Sequence, residues 1–250
     1  MINRQWFRRE LSFWYRQHKR DLPWRQQSDP YKIWVSEVIL QQTRVEQGMS
    51  YYFNFLSQFP NVSLLAAASE DEVLKVWQGL GYYSRARNMH AAAKQIADEL
   101  KGKFPTDYDG LIKLKGVGSY TAAAIASFAF NKPHVVVDGN VLRFIGRLYG
   151  VFTPIDTQKG KQEIFNISDE LLDRENPAQF NQAIMEFGSQ FCRPSNPDCE
   201  SCPFSSKCIA YKTNAVKEIP VKSKKTKQKR RYFNYVVMID SKGRANIRKR

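Results

Sequence analysis

Two acidic residues lie in sequence contexts that predict opposite charge states. Glu37 falls within the apolar stretch 33–40, and burial among apolar side chains raises the pKa of a carboxyl group. Asp138 follows three valines and precedes a Gly-Asn pair. There we expect a helix N-cap, and the helix dipole would keep the carboxylate ionised. A surface Glu and a capping Asp would have the same patterns, but carboxyls with separated pKa values are candidates for acid–base catalysis.

Such a pair suits the cleavage of a glycosidic bond. That reaction needs a proton for the departing group and a negative charge near the sugar cation that forms. In this interpretation Glu37 protonates the departing group, and Asp138 stabilises the oxocarbenium-like state.

All four cysteines lie in one short segment, with the spacing C-x6-C-x2-C-x5-C: Cys192, Cys199, Cys202 and Cys208. The chain begins without an apolar signal sequence, so we do not expect a disulfide framework. Four thiolates that converge locally predict a metal site, and both zinc and a cubane iron–sulfur cluster accept four cysteines. Zinc sites usually show two close pairs, so the single C-x2-C pair favours the cluster.

A glycine-containing turn at 114–120 joins two predicted helices. Gly116 and Gly118 allow a tight turn and a close approach of the backbone to a ligand. The following small-residue helix, 121–126, would present its N-terminus to a phosphate, and Lys115 adds a positive charge. A plain tight turn is the alternative.

The charge is concentrated near the C-terminus. The chain carries a net charge of +15, of which residues 213–250 contribute +11. Such a tail suits a polyanion, although basic tails are common. With 42% hydrophobic residues, wholesale disorder is excluded. No apolar run approaches the roughly 20 residues that span a bilayer, so we expect no membrane partner and a cytoplasmic location.

The sequence patterns of the first 212 residues are those of helices, which predicts an all-α fold. These helices must position the residues named above. The segment 222–231 reads as a basic linker. Apolar residues on both sides of the turn 240–243 then predict a β-hairpin, which we interpret as the start of an incomplete β-containing domain; a disordered tail is the alternative. Amphipathic or apolar patterns predict the helices 6–18, 33–43, 51–59, 64–68, 70–80, 85–100, 108–114, 141–149 and 180–191.

Three further segments, together with the cysteine spacing and the glycine turn, resemble the MutY group of adenine DNA glycosylases in the endonuclease III superfamily. They are 30–43, 79–85 and 137–141, and the similarity covers essentially residues 1–212. The resemblance implies a helix-hairpin-helix glycosylase fold with a [4Fe–4S] cluster on the four cysteines. It divides the chain into a cluster module (1–20 and 131–212), a six-helix barrel module (21–130, with the hairpin motif at 108–130), a basic linker (213–231) and the beginning of a NUDIX-like domain (232–250).

The resemblance also implies a function in base excision repair. A monomer would extrude an adenine that faces 8-oxoguanine or guanine in double-stranded DNA and hydrolyse its glycosidic bond. Glu37 would be the acid, Asp138 would stabilise the sugar cation, and Tyr120 would assist.

Residues for DNA contact follow from the same resemblance. Gln42 and Tyr82 would wedge into the duplex, and Arg25 and Gln182 would contact the extruded adenine. Arg193, in the loop between the first two cysteines, could contact the DNA backbone. The motifs place further DNA contacts at Thr43, Leu80, Lys115, Gly116, Gly118 and Asn140.

Tyr120 separates two enzymes of this superfamily. Bifunctional relatives carry a lysine at this place, whose amine forms a Schiff base that leads to strand cleavage. Tyrosine cannot form that imine, so we expect hydrolysis without an efficient lyase step. The first alternative is an endonuclease III-like glycosylase and lyase for oxidised pyrimidines. Two others are a non-catalytic DNA-binding protein with a structural metal and an electron-transfer iron–sulfur protein, which would not need the carboxylate pair.

Overall fold

The computed structural model describes residues 2–223, 232 and 237–245. Most of the regular structure in these ranges is helical. The β-pairing in the same ranges is one isolated bridge, between Ile239 and Ala245. The all-α prediction is therefore confirmed. Short 3-10 turns form at Pro23–Arg25 and Ser205–Lys207. The helices are α1 (Arg4–His18), α2 (Pro30–Ile39), α3 (Val45–Gln58), α4 (Val62–Ala67), α5 (Glu70–Val76), α6 (Ser84–Glu99), α7 (Tyr108–Leu111), α8 (Ser119–Phe130), α9 (Gly139–Tyr149), α10 (Gln158–Leu171), α11 (Pro177–Gln190) and α12 (Ile209–Lys212).

One hydrophobic core takes its buried residues from the segment 22–126, with Trp34 and Trp77 among its largest side chains. Within it, α2 packs against α8. α8 contributes a run of small buried side chains from Thr121 to Ser127, so the two helices can approach closely. This packing brings the middle of α2 next to the start of α8.

A second core joins α1 to the helices after residue 135. Its centre is a cluster of phenylalanines, in which the rings of Phe144 and Phe187 are 4.5 Å apart and those of Phe7 and Phe204 are 5.2 Å apart. Three of the four cysteines pack against this core. The two cores follow the chain division expected for two modules, whose boundaries stay a prediction.

Capping residues fix where the functional helices begin. Asp29 accepts a hydrogen bond from the backbone N–H of Tyr31 at 2.9 Å, and Pro30 occupies the first position of α2. Asp138 is the N-cap of α9, as the sequence predicted. Among the described residues, no helix has the length and apolar character needed to cross a bilayer.

Several helix predictions are corrected by the structure: the helix predicted at 51–59 begins at Val45, the one predicted at 70–80 ends at Val76, and the short helix α12 was not predicted. The helix predicted at 33–43 ends at Ile39. The chain then turns sharply, and Gln42 in this turn has a φ of 60°, which a continuing helix does not allow. The helix α10 was not predicted. Its buried face consists of Gly160, Ile164, Ser168 and Leu171, so small residues weaken the hydrophobic period that would have indicated it.

The predicted linker begins later than 213. Ile219 is buried, and its carbonyl accepts a hydrogen bond from Arg147 Nε at 2.9 Å. The backbone N–H of Ile155 donates to the carbonyl of Val221 at 3.0 Å. Residues 215–223 therefore pack against the helical body instead of forming a linker.

The turn of the predicted hairpin is present at 240–243. The N–H of Asp240 donates to the carbonyl of Arg244 at 3.0 Å, beside the bridge between Ile239 and Ala245. Residues 224–231, 235–236 and 246–247, to which the rest of the linker and hairpin predictions refer, lie outside the described residues.

Candidate active site

Three side chains that are distant in sequence meet at the junction of two cavities. Glu37 comes from α2, Tyr120 from the first turn of α8, and Asp138 from the cap of α9. All three line both a cavity of about 390 Å³ and a second cavity of about 810 Å³. The structure thus brings the predicted acid, the predicted anion and the predicted assisting residue to one place.

Glu37 has the protonation behaviour expected of a general acid. Protein atoms surround its carboxyl, although solvent still reaches it through the cavities. Burial raises the pKa of Glu37 to about 7, against an opposing hydrogen bond with Tyr120. The negative charge of Asp138 raises this pKa further, whereas the positive charge of Arg25 lowers it. A substantial fraction of Glu37 is therefore protonated at neutral pH.

Asp138 is held by three hydrogen-bond donors. Its Oδ1 accepts from the backbone N–H groups of Asn140 and Val141 at 2.9 and 2.8 Å. Its Oδ2 accepts from Asn140 Nδ2 at 2.6 Å. Burial nevertheless raises the pKa of Asp138, while these hydrogen bonds and the charge of Arg143 act to lower it. The cap thus acts in the predicted direction, but burial outweighs it in the net shift, and the ionised state of Asp138 stays a prediction.

Tyr120 is a phenol enclosed beside two carboxyl groups. Burial raises its pKa well above the ordinary value, and the negative charges of Glu37 and Asp138 act in the same direction. Tyr120 is therefore neutral and can donate a hydrogen bond at the junction of the cavities.

The smaller cavity contains polar groups suited to a flat, hydrogen-bonding ligand. Arg25 and Gln182 line it, as do Thr43 and Asn140. Gln182 Oε1 accepts from the hydroxyl of Tyr15 at 3.0 Å, which leaves its amide NH₂ free to donate. Arg25 Nη1 is buried and has no hydrogen-bond partner within the described part of the chain. The Gln182 amide offers donors to a ligand with nitrogen acceptors, whereas Arg25 Nη1 is an unsatisfied donor enclosed in the cavity wall.

Sequence reasoning missed the acidic residue that holds Arg25 in this cavity. Glu186 is fully buried on α11 and lines the same cavity. Its Oε2 accepts from Arg25 Nη2 at 2.7 Å, and Arg20 forms two further side-chain bonds of 2.8 Å with its carboxylate. Burial acts to raise the pKa of Glu186, but the bonds from both arginines outweigh it and lower the pKa to about 2. A glutamate among apolar residues of α11 was the available signal.

The two predicted wedge residues project from separate loops. Gln42 is exposed and lines the larger cavity. Tyr82 is 63% exposed. The φ angles of Gln42 and Tyr82 are 60° and 46°, so both residues lie in the left-handed region. Leu80 does not share this surface, because its side chain is buried in the first core and is only 8% exposed. The side chain of Leu80 therefore serves the core, and its predicted DNA contact stays a prediction.

The glycine turn leads directly into α8. Lys115, Gly116 and Gly118 are all exposed. Gly116 has a φ of +75°, and a Cβ added there would lie 2.5 Å from Asn88 Cβ, so this position requires glycine. Gly118 is the N-cap residue of α8.

The four cysteines line one small cavity of about 30 Å³ beside Phe144 and Phe204. Arg147 Nη1 donates to Cys192 Sγ at 3.6 Å. In the described ranges, no three His, Cys, Asp or Glu side chains lie close enough together to hold a single metal ion. Four thiols around a common space are a ligand set that both a [4Fe–4S] cluster and a zinc ion accept. Arg193 is exposed in the adjoining loop.

Comparisons with known proteins agree with this geometry. An adenine DNA glycosylase of Buchnera aphidicola (Schizaphis graminum) is 39% identical over 86% of this chain and 62% of its own length. That of Mus musculus is 44% identical over 82% of this chain and 42% of its own length. The chain thus spans less than two thirds of either relative.

A solved structure of a thermostable thymine-DNA glycosylase superposes with a TM-score of 0.77 at 26% identity, covering 84% of this chain and 97% of that one. Residues 35–173 match the family model of the HhH-GPD superfamily base excision DNA repair proteins. That segment contains the glycine turn and all three side chains at the cavity junction, and its match covers more than half of the sequence. The chain therefore belongs to the HhH-GPD superfamily of base excision DNA repair proteins.

Proposed function

We propose that this chain is a monofunctional adenine DNA glycosylase of base excision repair, which hydrolyses the glycosidic bond of an adenine opposite 8-oxoguanine or guanine. The observation that carries this proposal is the meeting of Glu37, Tyr120 and Asp138 where two cavities join. The curated relatives named above are adenine DNA glycosylases and support the same substrate.

Glu37 and Asp138 divide the chemistry between them. Glu37, with a pKa raised to about 7, gives its proton to a ring nitrogen of the adenine as the bond to the sugar breaks. The sugar then develops positive charge, which the Asp138 carboxylate stabilises. Tyr120, which lines both cavities beside Glu37, orients the acid, and water completes the hydrolysis by adding to the sugar.

The smaller cavity takes the base. A target base inside a duplex is unreachable, so the nucleotide must swing out of the helix. Adenine carries nitrogen acceptors, which the free amide NH₂ of Gln182 can meet, and the Arg25 side chain lines the same cavity. Gln42 and Tyr82, exposed on neighbouring loops, would fill the gap that the adenine leaves. The glycine turn and Arg193 would contact the DNA backbone.

The four cysteines would hold a [4Fe–4S] cluster, which when bound would tie the segment 192–208 together and could exchange electrons. Metal analysis of the purified chain tests this assignment. We expect iron and sulfide, with a brown colour that Cys199→Ser diminishes. Stoichiometric zinc in a colourless protein would contradict it.

Release of free adenine from defined duplexes tests the function. We expect the chain to release adenine opposite 8-oxoguanine or guanine much faster than adenine opposite thymine. A duplex with an oxidised pyrimidine serves as the comparison for the endonuclease III-like alternative. Preferential removal of that pyrimidine, without release of adenine, would contradict the proposal.

A further inference from the structure

Arg85, near the start of α6, reaches back to the C-terminal end of α2. The last carbonyl groups of a helix lack donors within the helix. Arg85 Nη1 donates to three carbonyl oxygens at this end, those of Val38 at 2.7 Å, Ile39 at 3.1 Å and Gln41 at 2.6 Å. One guanidinium nitrogen thus links the end of α2 to the first residues of the loop that follows it.

The same guanidinium also holds the loop between α5 and α6. Arg85 Nη2 donates to the carbonyl oxygens of Leu80 at 3.4 Å and Gly81 at 3.5 Å. The guanidinium carbon lies 5.3 Å from the centre of the Trp77 ring and 5.7 Å from that of Tyr82. Trp77 Nε1 donates to the Gly81 carbonyl at 3.1 Å, which fixes this loop from its other side.

Each loop bends at the residue after a carbonyl that Arg85 holds. Gln42 follows Gln41 and has a φ of 60°, and Tyr82 follows Gly81 and has a φ of 46°. L-residues rarely adopt such values, and they persist where the surroundings over-determine the backbone. Arg85 supplies such a constraint on both loops at once.

We propose that Arg85 is a positioning residue that fixes Gln42 and Tyr82 relative to each other, so that the two loops enter a DNA duplex as one rigid wedge. This inference rests on the proposed function. Arg85 lines neither of the two cavities that Glu37 joins. Its influence therefore falls on the extrusion of the nucleotide, not on the cleavage of the bond.

The conservative variant Arg85→Lys isolates this role. Lysine keeps the charge but carries one nitrogen, which cannot reach both loops as the planar guanidinium does. Arg87→Lys is the matched control, because Arg87 lies on the same helix and is exposed in an ion pair with Glu70 at 3.0 Å. If Arg85 served only as a cap for α2, its loss would lower stability and affect all substrates alike.

Two duplexes under single-turnover conditions separate these outcomes. One has adenine opposite 8-oxoguanine, and the other has adenine opposite an abasic-site analogue, where no partner base resists extrusion. We expect Arg85→Lys to slow release from the first by about ten- to a hundred-fold, the scale for groups displaced by a remote mutation. Release from the second should stay within about two-fold of wild type. Equal losses on both duplexes, or no loss on either, would overturn the positioning role.

A fluorescence measurement tests the wedge without requiring turnover. 2-Aminopurine placed beside the target adenine brightens when its stack opens. Wild type and Arg87→Lys should raise this signal on binding, whereas Arg85→Lys should bind DNA with little increase. If wild type releases no adenine from any duplex, the proposed function fails, and this signal still decides the role of Arg85. An undiminished signal in Arg85→Lys would refute it.

If Arg85→Lys fails to fold, Gly81→Ala tests the same positioning by changing the loop that carries Tyr82. Gly81 has a φ of +71°, and an added Cβ would meet nothing within 4 Å. The substitution therefore strains this loop without a clash. We expect the same selective loss on the paired substrate, and an unchanged ratio between the two duplexes would contradict the wedge.

Discussion

The carboxyl of Glu37 and the hydroxyl of Tyr120 act on each other's pKa at the junction of the two cavities: Tyr120 acts to lower the pKa of Glu37, and Glu37 acts to raise that of Tyr120. The pair joins the middle of α2 to the first turn of α8. The packing of these two helices therefore determines whether the proposed acid has its partner. Because Tyr120 stays neutral, it can stabilise Glu37 either as the acid or as the anion left after proton transfer.

Glu37→Gln should abolish most adenine release while leaving DNA binding nearly unchanged. The amide has the size of the carboxyl but no proton to transfer, and a general acid contributes about 10²- to 10⁴-fold to a rate. Single-turnover release and fluorescence anisotropy with the same duplex measure the two properties. Glu99→Gln, at the exposed end of α6, is the control. Near-normal release by Glu37→Gln would remove Glu37 from its assigned role.

The sequence predicted features of the site that depend on residues close together in the chain. The apolar run around Glu37, the cap at Asp138 and the cysteine spacing are each contained within a few residues. The pairing of Glu186 with Arg20 and Arg25 joins positions more than 160 residues apart. No local pattern encodes such a pairing.

Other elements escaped prediction because several structures share their local pattern. α10 buries small residues on part of its face, which hides its hydrophobic period. Leu80 lies in a loop motif, and its burial depends on the helices packed around it.

The raised pKa of Glu37 predicts that its carboxyl destabilises the fold as pH rises. In the unfolded chain it titrates near its ordinary value of 4.5, and in the folded chain near about 7. Between these values the folded state binds more protons, so the free energy of unfolding falls as pH increases. The loss reaches a few kcal/mol at most, since each pKa unit corresponds to about 1.4 kcal/mol.

Thermal unfolding at a series of pH values tests this linkage. Glutamine does not titrate, so Glu37→Gln should gain stability relative to wild type as pH rises from about 5 to about 8. A difference in melting temperature that is constant over this range would contradict the assignment. Adenine release by wild type should decline over the same upper range, because the acid form of Glu37 is lost.

Gly116 and Gly118 should respond differently to alanine. Gly116→Ala combines a φ of +75° with a Cβ contact of 2.5 Å, so we expect a loss of about 1–3 kcal/mol. Gly118 has a φ of −89° and open space around an added Cβ, so Gly118→Ala should change stability by less than about 0.5 kcal/mol. Urea unfolding of both variants measures the contrast, and equal losses would contradict the different backbone requirements of these positions.

Tyr120 should determine whether the enzyme forms a covalent intermediate with DNA. A phenol cannot form an imine with the sugar, whereas a neutral amine at the same place could attack the sugar carbon as the base departs, lose a proton, and form the imine when the sugar ring opens to a hydroxyl. We expect borohydride to trap little wild-type protein on an adenine duplex and to trap Tyr120→Lys readily. Tyr120→Phe is the matched control, because it lacks both the amine and the hydroxyl. Strong trapping of the wild-type chain would show that another amine reaches the sugar. Lys161 lines the larger cavity, and replacing it would then test whether its amine is the one that is trapped.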